Sequence, residues 1–336
     1  FGFIGLGGRG QGMLSELMDV PGVVVTAVCD KYEDRAIKGA ERVKKKTGKD
    51  VDWYTDYHEL LAREDIKGVF VATTWITHVR IAIDAMKAGK HVAFEVGGAS
   101  SLEECWEMVR TAEETGKICM ISENCCYDRN EMAVFNMVKK GLFGELVHME
   151  GGYRHDLRDE INHGMENRHG RLKNFTYRNG ELYPTHQLGP ISKCLGINRG
   201  NRFLTLSSVA SKAVGLHDYL VKNHTPDYYN YNTRFNEGDV VTTIIKCANG
   251  ETITLNHDCS LIRPYSRDYL VQGTNGIYKE MPLCFDNVCV FDKPLESGCW
   301  TESWQMFTPI REKYEHPLWK SFRRQAYNRL CLFGDK

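Results

Sequence analysis

Short apolar runs and longer amphipathic stretches follow each other in turn through the first part of the chain. Short, continuous apolar runs predict buried strands, and the amphipathic stretches between them predict helices. Each strand is followed by a helix, which is the order that a doubly wound parallel sheet requires. The pattern predicts six strands, namely FGFI, VVVTAVCD, a short segment near Val51, GVFVATT, HVAFEV and ICMISEN. The predicted helices include Met13–Met18, Tyr32–Lys46, Tyr57–Ala62 and Leu102–Thr115.

The pattern changes at Asn130, where one more helix, ending at Lys140, leads into longer segments of alternating apolar and polar residues. Such alternation predicts strands of a half-buried antiparallel sheet. The candidate strands are LVHMEGGYRH, FLTLSSVAS, VVTTIIKCA, ETITLNHDC and DYLVQGTNG. Asn249-Gly250 predicts a hairpin between two of them. A helix around Thr185–Leu195 is available to cover the sheet or to point its first turn into a cleft.

Together these patterns predict an α/β protein in which a Rossmann doubly wound parallel sheet is followed by an α+β domain with a large, mostly antiparallel open sheet. A chain of 336 residues exceeds one ordinary core, so two domains are expected. We place a nucleotide-binding domain at 1–126, a substrate and oligomerisation domain at 127–300, and a tail packed on the body at 301–336.

Composition and charge exclude several classes of protein. Hydrophobic residues make up 42% of the chain and the formal net charge is −1, with Lys44–Lys46 as the only dense basic run. This balance argues against a nucleic-acid partner, and no apolar run is long enough to predict a membrane span. The twelve cysteines lack the spacing of a metal site, so we expect buried free thiols and no metal.

The chain begins at Phe1, inside the first predicted strand and without an initiator methionine. An export leader that has been removed is compatible with this start. The compartment, exported to a bacterial periplasm or cytoplasmic, is therefore left open.

A glycine-rich loop is the firmest chemical motif. Gly5, Gly7 and Gly10 follow the strand FGFI and open a helix, and Asp30 ends the second strand. The glycines permit a tight turn and close approach of a pyrophosphate, which the amides of the helix N-terminus can bind. Asp30 can accept hydrogen bonds from both ribose hydroxyls and would repel a 2′-phosphate, so NAD is favoured over NADP. The nearby cations Lys31 and Arg35 keep NADP as an alternative.

The run ATTWITHVRIAIDAMKAGKHVAFE resembles the glucose-fructose oxidoreductase and inositol dehydrogenase superfamily. In that superfamily the fifth strand usually ends in Glu-Lys-Pro, and the lysine helps to move the proton of the hydroxyl that is oxidised. Here the triplet is Glu95-Val96-Gly97. A simple sugar dehydrogenase would thus lack its expected proton-transfer group.

A narrower family, the NAD-dependent α-N-acetylgalactosaminidases of glycoside hydrolase family 109, resembles the chain in more specific motifs. These are Gly8-Arg9, Asp30, Trp75-x-x-His78, Glu95-Val96, Asn124 in SENCCYDRNE, and NGELYPTHQLGP. The resemblance implies that Gly8, Arg9, Asp30, Trp75, His78, Glu95, Val96 and Asn124 line NAD. It implies that Tyr153, Arg171, Tyr183, Pro184, Thr185, His186 and Tyr265 face the sugar. The chain departs from the family at Thr74, where proline is common, and at Gly97 and Gly98.

The resemblance also implies a reaction in which the sugar is oxidised at C3, the aglycone is eliminated, water adds, and the sugar is reduced again. NAD would stay tightly bound and be regenerated in each turnover. His186 is the first candidate for the base at the C3 hydroxyl, and Tyr183, Tyr265 and Tyr153 are candidates for the other proton transfers, with their roles left open.

Some of these assignments have alternatives. Arg168 or Arg178 could take the place of Arg171, and His78 could be a core histidine. The expected partner is a small glycoside or a glycan terminus, and the exact sugar and anomer stay open. Two other functions also stay open, a sugar or cyclitol dehydrogenase and a non-enzymatic dinucleotide sensor. The broad second sheet predicts a homo-oligomer.

Overall fold

The computed structural model describes residues 1–281, 286–290 and 304–324. These residues form two compact units. The first unit comprises Phe1–Glu123 together with Gly164–Gly170, and the second comprises Asn124–His163 and the described chain from Arg171 onward. The boundary placed after residue 126 stays a prediction of domain organisation. Nothing in the sequence indicated that Gly164–Gly170 would join the first unit.

The first unit contains the six-stranded parallel sheet that the alternating pattern predicts. Its strand order is β3-β2-β1-β4-β5-β6, with the order reversing at β1 and β4. The strands are β1 (Gly2–Ile4), β2 (Ala27–Cys29), β3 (Asp52–Tyr54), β4 (Gly68–Val71), β5 (His91–Phe94) and β6 (Cys119–Ile121). The predicted Rossmann sheet is confirmed, although several strands are shorter than their apolar runs.

Five helices separate these strands. They are α1 (Gly8–Leu17), α2 (Glu33–Thr47), α3 (Tyr57–Leu61), α4 (Trp75–Lys87) and α5 (Leu102–Thr115). The predicted start of the first helix at Met13 is wrong, because the glycine-rich turn itself supplies the first helical residues after Gly7. The buried strand residues, such as Ile4 and Val71, pack with Ala82 and Met86 of α4 in one apolar core.

Among its described residues, the second unit is built on an eight-stranded sheet of order β14-β13-β12-β11-β7-β10-β9-β8. All neighbours are antiparallel except β7 and β10, which run parallel. The strands are β7 (Leu146–Arg154), β8 (Phe203–Ala210), β9 (Val241–Cys247), β10 (Thr252–Asp258), β11 (Leu270–Gly273), β12 (Gly276–Lys279), β13 (Asn287–Val290) and β14 (Gln305–Met306). The predicted large, mostly antiparallel sheet is confirmed, and the Asn249-Gly250 turn joins β9 to β10, with Gly250 at φ 106°.

The described part of the second unit also contains helices. They are α6 (Arg129–Lys139), α7 (Arg158–Asn162), α8 (Arg171–Tyr177), α9 (Thr185–Cys194), α10 (Gly215–Asn223) and α11 (Phe307–Tyr314), with a 3-10 helix at Asn124–Tyr127. Of these, α6, α9 and α11 pack in one core with this sheet. Ile191 of α9 and Met137 of α6 are buried against Met149 of β7 and Ile253 of β10. The helix predicted at Thr185–Leu195 therefore packs on the sheet, which leaves its first turn close to β7.

The predicted tail at 301–336 is only partly described, and residues 301–303 and 325–336 lie outside the described residues. Within 304–324, the α11 segment packs on α6, where Asn136 donates a hydrogen bond to the Tyr314 carbonyl oxygen (2.7 Å). Of the described cysteines, Cys29, Cys125, Cys247 and Cys259 are buried free thiols as expected, but Cys105 is exposed because it lies on the outer side of α5. Among the helices that the structure describes, none combines the length and apolar content needed to cross a membrane.

Candidate active site

The glycine loop in the first unit is tightly constrained by backbone contacts. Gly5 has φ 97°, and a Cβ atom there would lie 2.5 Å from the carbonyl carbon of Ala72. A Cβ atom on Gly10 would overlap with the carbonyl oxygen of Gly5. Gly7 is the N-cap residue of α1 and has no side chain to cap the helix. The first backbone amides of α1 therefore have no intrahelical partners. This loop fits a dinucleotide pyrophosphate, because anions bind at such helix N-termini.

Asp30 is held rigidly at the end of β2. Its Oδ2 accepts a hydrogen bond from the Leu6 amide (2.7 Å), and its Oδ1 accepts one from the Tyr32 amide (2.9 Å). The carboxylate is buried, and each oxygen retains a lone pair for a further donor. Asp30 is thus oriented to accept hydroxyl hydrogens of a ribose, as its position after the second strand predicts.

Trp75 and His78 lie in the first turn of α4, at the carboxyl end of β4. The His78 side chain is only 1% exposed, and its Nε2 donates to the Thr73 carbonyl oxygen at 3.0 Å. Burial lowers the pKa of His78 to about 4, so the ring is neutral at physiological pH. The bond to Thr73 holds the turn that presents Trp75, and a direct contact between His78 and NAD stays a prediction.

The Glu95-Val96-Gly97 triplet follows β5. The Glu95 carboxylate accepts hydrogen bonds from Arg9 Nε (2.8 Å) and from the Val96 amide (3.0 Å), and both Glu95 and Val96 are buried. Gly97 has φ 98°, and a Cβ atom there would overlap with the indole ring of Trp75. Proline cannot adopt this φ, so the backbone at Gly97 is incompatible with the proline of the Glu-Lys-Pro triplet.

Asn124 belongs to the second unit, where it begins the 3-10 helix and is exposed. Its amide nitrogen lies 3.7 Å from the Cys125 sulfur. Its predicted contact with NAD stays a prediction.

An aromatic cluster in the second unit brings together most residues predicted to face the sugar. The ring of Tyr153, on β7, lies 4.4 Å from that of Tyr183, 5.6 Å from that of His186 and 6.2 Å from that of Tyr265. The rings of Tyr183 and His186 are 4.9 Å apart. We call these four residues the aromatic cluster. It places three phenol groups and one imidazole within reach of a single small molecule.

Arg171 supplies the positive charge of this cluster. Its guanidinium carbon lies 5.9 Å from the centre of the Tyr153 ring and 5.5 Å from that of Tyr183. Its Nε pairs with Glu160 at 3.1 Å. Of the alternatives, Arg168 lies in the first unit, and Arg178, which follows α8, donates to the Asn174 side chain of that helix, so neither joins the cluster.

The YPTH segment forms the N-terminal turn of α9. Pro184 is its N-cap residue, and Thr185 and His186 are its first two residues. Gly151 of β7 permits this arrangement, because a Cβ atom there would lie 2.5 Å from the Cβ of Gln187. The absence of a side chain at Gly151 therefore lets the turn, with His186, approach Tyr153.

Burial shifts the pKa values of two tyrosines of the aromatic cluster. It raises the pKa of Tyr153, and the nearby Arg171 charge opposes this shift. Burial also raises the pKa of Tyr265, which Arg267 opposes. Both phenols are therefore protonated at neutral pH and available as donors, with Arg171 favouring charge on Tyr153 in particular.

Two residues near the cluster were not identified from the sequence. The His155 ring lies 5.3 Å from that of Tyr265, and burial together with Arg171 lowers the pKa of His155. His155 follows Tyr153 by two positions, and this strand spacing was the available signal. Glu160, the partner of Arg171, lies on a short helix with no motif of its own.

A Rossmann sheet with a dinucleotide-binding edge, followed by a large antiparallel sheet, defines the class of NAD-binding oxidoreductase-like proteins. The match to "Oxidoreductase family, NAD-binding Rossmann fold" over residues 1–123 agrees with this class. The myo-inositol 2-dehydrogenase of Lactobacillus plantarum has the same fold, with a TM-score of 0.63 and 20% identity over 83% of this chain and 75% of that chain. At this identity the likeness concerns the fold alone.

Residues 127–329 match "Glycosyl hydrolase 109, C-terminal domain". The chain is 40% identical over 340 residues to an alpha-N-acetylgalactosaminidase of Shewanella oneidensis, with 97% of this chain and 71% of that protein covered. It is 37% identical over 349 residues to an alpha-N-acetylgalactosaminidase of Tannerella forsythia, with 97% and 73% covered. The chain belongs to glycoside hydrolase family 109. The predicted enzyme class, an NAD-dependent glycoside hydrolase, is confirmed.

Proposed function

We propose that this enzyme hydrolyses terminal α-linked N-acetylgalactosamine, the sugar named for both relatives, with NAD retained through the turnover. The observation that carries the proposal is the aromatic cluster with Arg171. It offers several proton-transfer groups around one sugar-sized site, while the lysine of a simple dehydrogenase is replaced by Val96. No pair of facing carboxylates is needed in such a reaction, in contrast to most glycosidases.

The first unit supplies the proposed cofactor residues. The pyrophosphate would be held by Gly5, Gly7, Gly8, Arg9 and Gly10, and the ribose hydroxyls would donate to Asp30. Trp75, Glu95 and Val96 form the remaining wall, with His78 as a support behind Trp75. Bound NAD supplies a reversible hydride acceptor for the sugar C3 position.

His186 is the proposed base for the C3 hydroxyl. An imidazole nitrogen can both accept this proton and return it. This role is supported by its place in the first turn of α9, with its ring beside those of Tyr153 and Tyr183.

Tyr153 and Tyr183 are the proposed groups for the C2 proton and the leaving oxygen. Oxidation at C3 acidifies the C2 proton, so the phenolate form of one of these tyrosines is a sufficient base to remove it, while the protonated phenol of the other gives its proton to the leaving oxygen. Arg171 beside both rings stabilises negative charge on a phenol as it gives up its proton. Tyr265, Pro184 and Thr185 complete the proposed sugar contacts.

We also propose that the enzyme forms a homo-oligomer through the open face of its second sheet. Val209 and Ile244 are exposed there, and the pairings of Ser207 with Ile244 and of Val209 with Thr242 put both on the same face of β8 and β9. Sedimentation at micromolar concentration is expected to give a mass of at least two subunits. The mass of one subunit would contradict this part of the proposal.

Release of p-nitrophenol from p-nitrophenyl N-acetyl-α-galactosaminide tests the proposed activity. We expect release with NAD present and no net accumulation of NADH, since the reduced cofactor is consumed in the same turnover. The β-anomer and the corresponding glucosaminide serve as substrate controls. A folded sample that releases no aglycone, and instead forms NADH from a free sugar or cyclitol, would contradict the proposal and favour a dehydrogenase.

A further inference from the structure

The segment Gly164–Gly170 lies against the first unit, although the chain on both sides of it belongs to the second. We call this segment the strap. It contains no regular helix or strand of its own along most of its length, and its residues Met165–His169 are exposed. No part of the activity proposed above uses it, so its position on the nucleotide-binding unit requires another explanation.

The middle of the strap is fixed to the residues that follow β2. Arg168 Nη1 donates to both oxygens of Asp34, at 2.7 and 3.0 Å, and its guanidinium stacks 4.5 Å from the centre of the Tyr32 ring. Arg35 Nη2 donates to the Asn167 carbonyl oxygen at 3.0 Å. These contacts lie two to five residues beyond Asp30, the predicted ribose ligand.

The end of the strap reaches the residues that follow β4. A Cβ atom on Gly170 would lie 3.1 Å from the Cβ of Thr74, the N-cap residue of α4. The sheet order places β1 between β2 and β4. A segment fixed after β2 at one point and after β4 at another therefore crosses the carboxyl end of β1, where the glycine loop lies.

Arg35 joins the strap to the glycine loop itself. Its Nη1 lies 3.5 Å from the position that a Cβ atom on Gly7 would occupy, so its guanidinium stands beside the open side of this glycine. The same side chain bonds to the strap and stacks 5.1 Å from the centre of the Tyr32 ring. Two guanidinium groups thus contact one aromatic ring beside the predicted pyrophosphate site.

We propose that the strap closes over the adenosine and pyrophosphate end of NAD and retains it, with Arg168, Tyr32 and Arg35 as positioning residues. This inference rests on the proposed function, because only an enzyme that regenerates NAD in each turnover benefits from preventing its release. Guanidinium groups pair with phosphate oxygens and stack on planar rings, so the group formed by Arg168, Tyr32 and Arg35 suits a nucleotide. Release of NAD then requires the Arg168 contacts to break.

The rate of NAD release from purified holoenzyme tests the strap. NAD remaining on the protein is measured at intervals after transfer into NAD-free buffer, for the parent and for Arg168→Ala, Arg168→Lys and Tyr32→Leu. We expect Arg168→Ala to release NAD about tenfold faster, as loss of a cation–π contact and its hydrogen bonds implies. Arg168→Lys keeps the charge but loses the planar stacking, so its rate should be intermediate.

Arg199→Ala is the matched control, because Arg199 is an exposed arginine of the second unit. Its release rate should stay within about twofold of the parent, the size of effect expected for a surface substitution. Tyr32→Phe keeps the ring and should also retain NAD. If both Arg168→Ala and Tyr32→Leu release NAD at the rate of the parent, the proposed role of the strap is contradicted.

Failure of the strap and failure of the proposed function are distinguishable. If the parent cleaves the glycoside and the variants release NAD at the rate of the parent, only the proposed role of the strap is rejected. If the parent cleaves no glycoside but Arg168→Ala releases NAD faster than the parent, the proposed function is rejected and the proposed role of the strap is kept. If Arg168→Ala does not fold, Arg168→Lys and Tyr32→Leu carry the test through the same measurement.

Discussion

At the scale of single residues, the chemistry of the second unit depends on side chains far apart in sequence. Tyr153, Arg171, Tyr183, His186 and Tyr265 were predicted from motifs, and the structure brings all five into one group. His155 and Glu160 were not predicted, because their importance comes only from packing against Tyr265 and pairing with Arg171. A motif identifies which residues are present, whereas tertiary contacts determine which other side chains surround each of them.

We expect His186→Ala to lower kcat for the glycoside by about 10²–10⁴-fold, the usual contribution of a general base. The NAD content of the purified variant should match the parent, since His186 lies outside the nucleotide-binding unit. Steady-state kinetics and NAD release by acid measure the two quantities. His217→Ala, which changes an exposed histidine, is the control. A parent-like kcat in His186→Ala would remove His186 from the mechanism.

Gly97 is the residue at which the chain departs most clearly from the related dehydrogenases. A side chain there meets both a positive φ and the Trp75 indole. Gly97→Ala should therefore destabilise the first unit by about 1–3 kcal/mol and lower its Tm. Gly98→Ala is the matched control, because a Cβ atom at Gly98 meets nothing within 4 Å. Equal Tm values for the two variants would show that the Trp75 contact is not restrictive.

At the scale of elements, the first unit was easier to predict than the second. Its apolar runs and glycine loop identify the strands of the parallel sheet, most clearly β1, β2 and β4, because buried strands are continuous apolar runs in the sequence. The second unit contains β12, β13 and β14 and the helices α7, α8 and α10, none of which was predicted. These elements are short or weakly patterned, and packing on the sheet stabilises them.

The first turn of α4 is expected to give the first unit a pH-dependent stability. The folded pKa of His78 is about 4, below the unfolded value near 6.5, so protons bind more tightly to the unfolded chain. The contribution of neutral His78 is present above pH 6.5 and is lost as the pH falls toward 4. Between pH 7 and pH 5 this loss amounts to about 2 kcal/mol.

Thermal unfolding at pH 7 and pH 5 checks this expectation. His78→Gln keeps a donor for the Thr73 carbonyl oxygen but does not titrate, so its Tm should change less between the two pH values than that of the parent. His217→Gln, an exposed histidine variant, should follow the parent. An equal pH dependence in the parent and in His78→Gln would contradict the assignment of a buried neutral imidazole.

At the scale of the whole molecule, the fold of an oxidoreductase serves a hydrolase. The Rossmann sheet and the family resemblance were both evident from the sequence, because glycine spacing and the YPTH segment are local signals. The strap was not evident, because its role depends on the order of β2, β1 and β4 in the sheet. Its sequence, GMENRHG, contains no nucleotide-binding motif.

The central claim is that the glycosidic bond breaks by elimination after oxidation at C3, with proton exchange at C2. Hydrolysis of p-nitrophenyl N-acetyl-α-galactosaminide in D2O, followed by mass spectrometry and proton NMR of the released sugar, tests it most directly. The proposed reaction predicts deuterium at C2 and retention of the original hydrogen at C3. Released sugar without deuterium at C2 would contradict the claim and indicate direct displacement at C1.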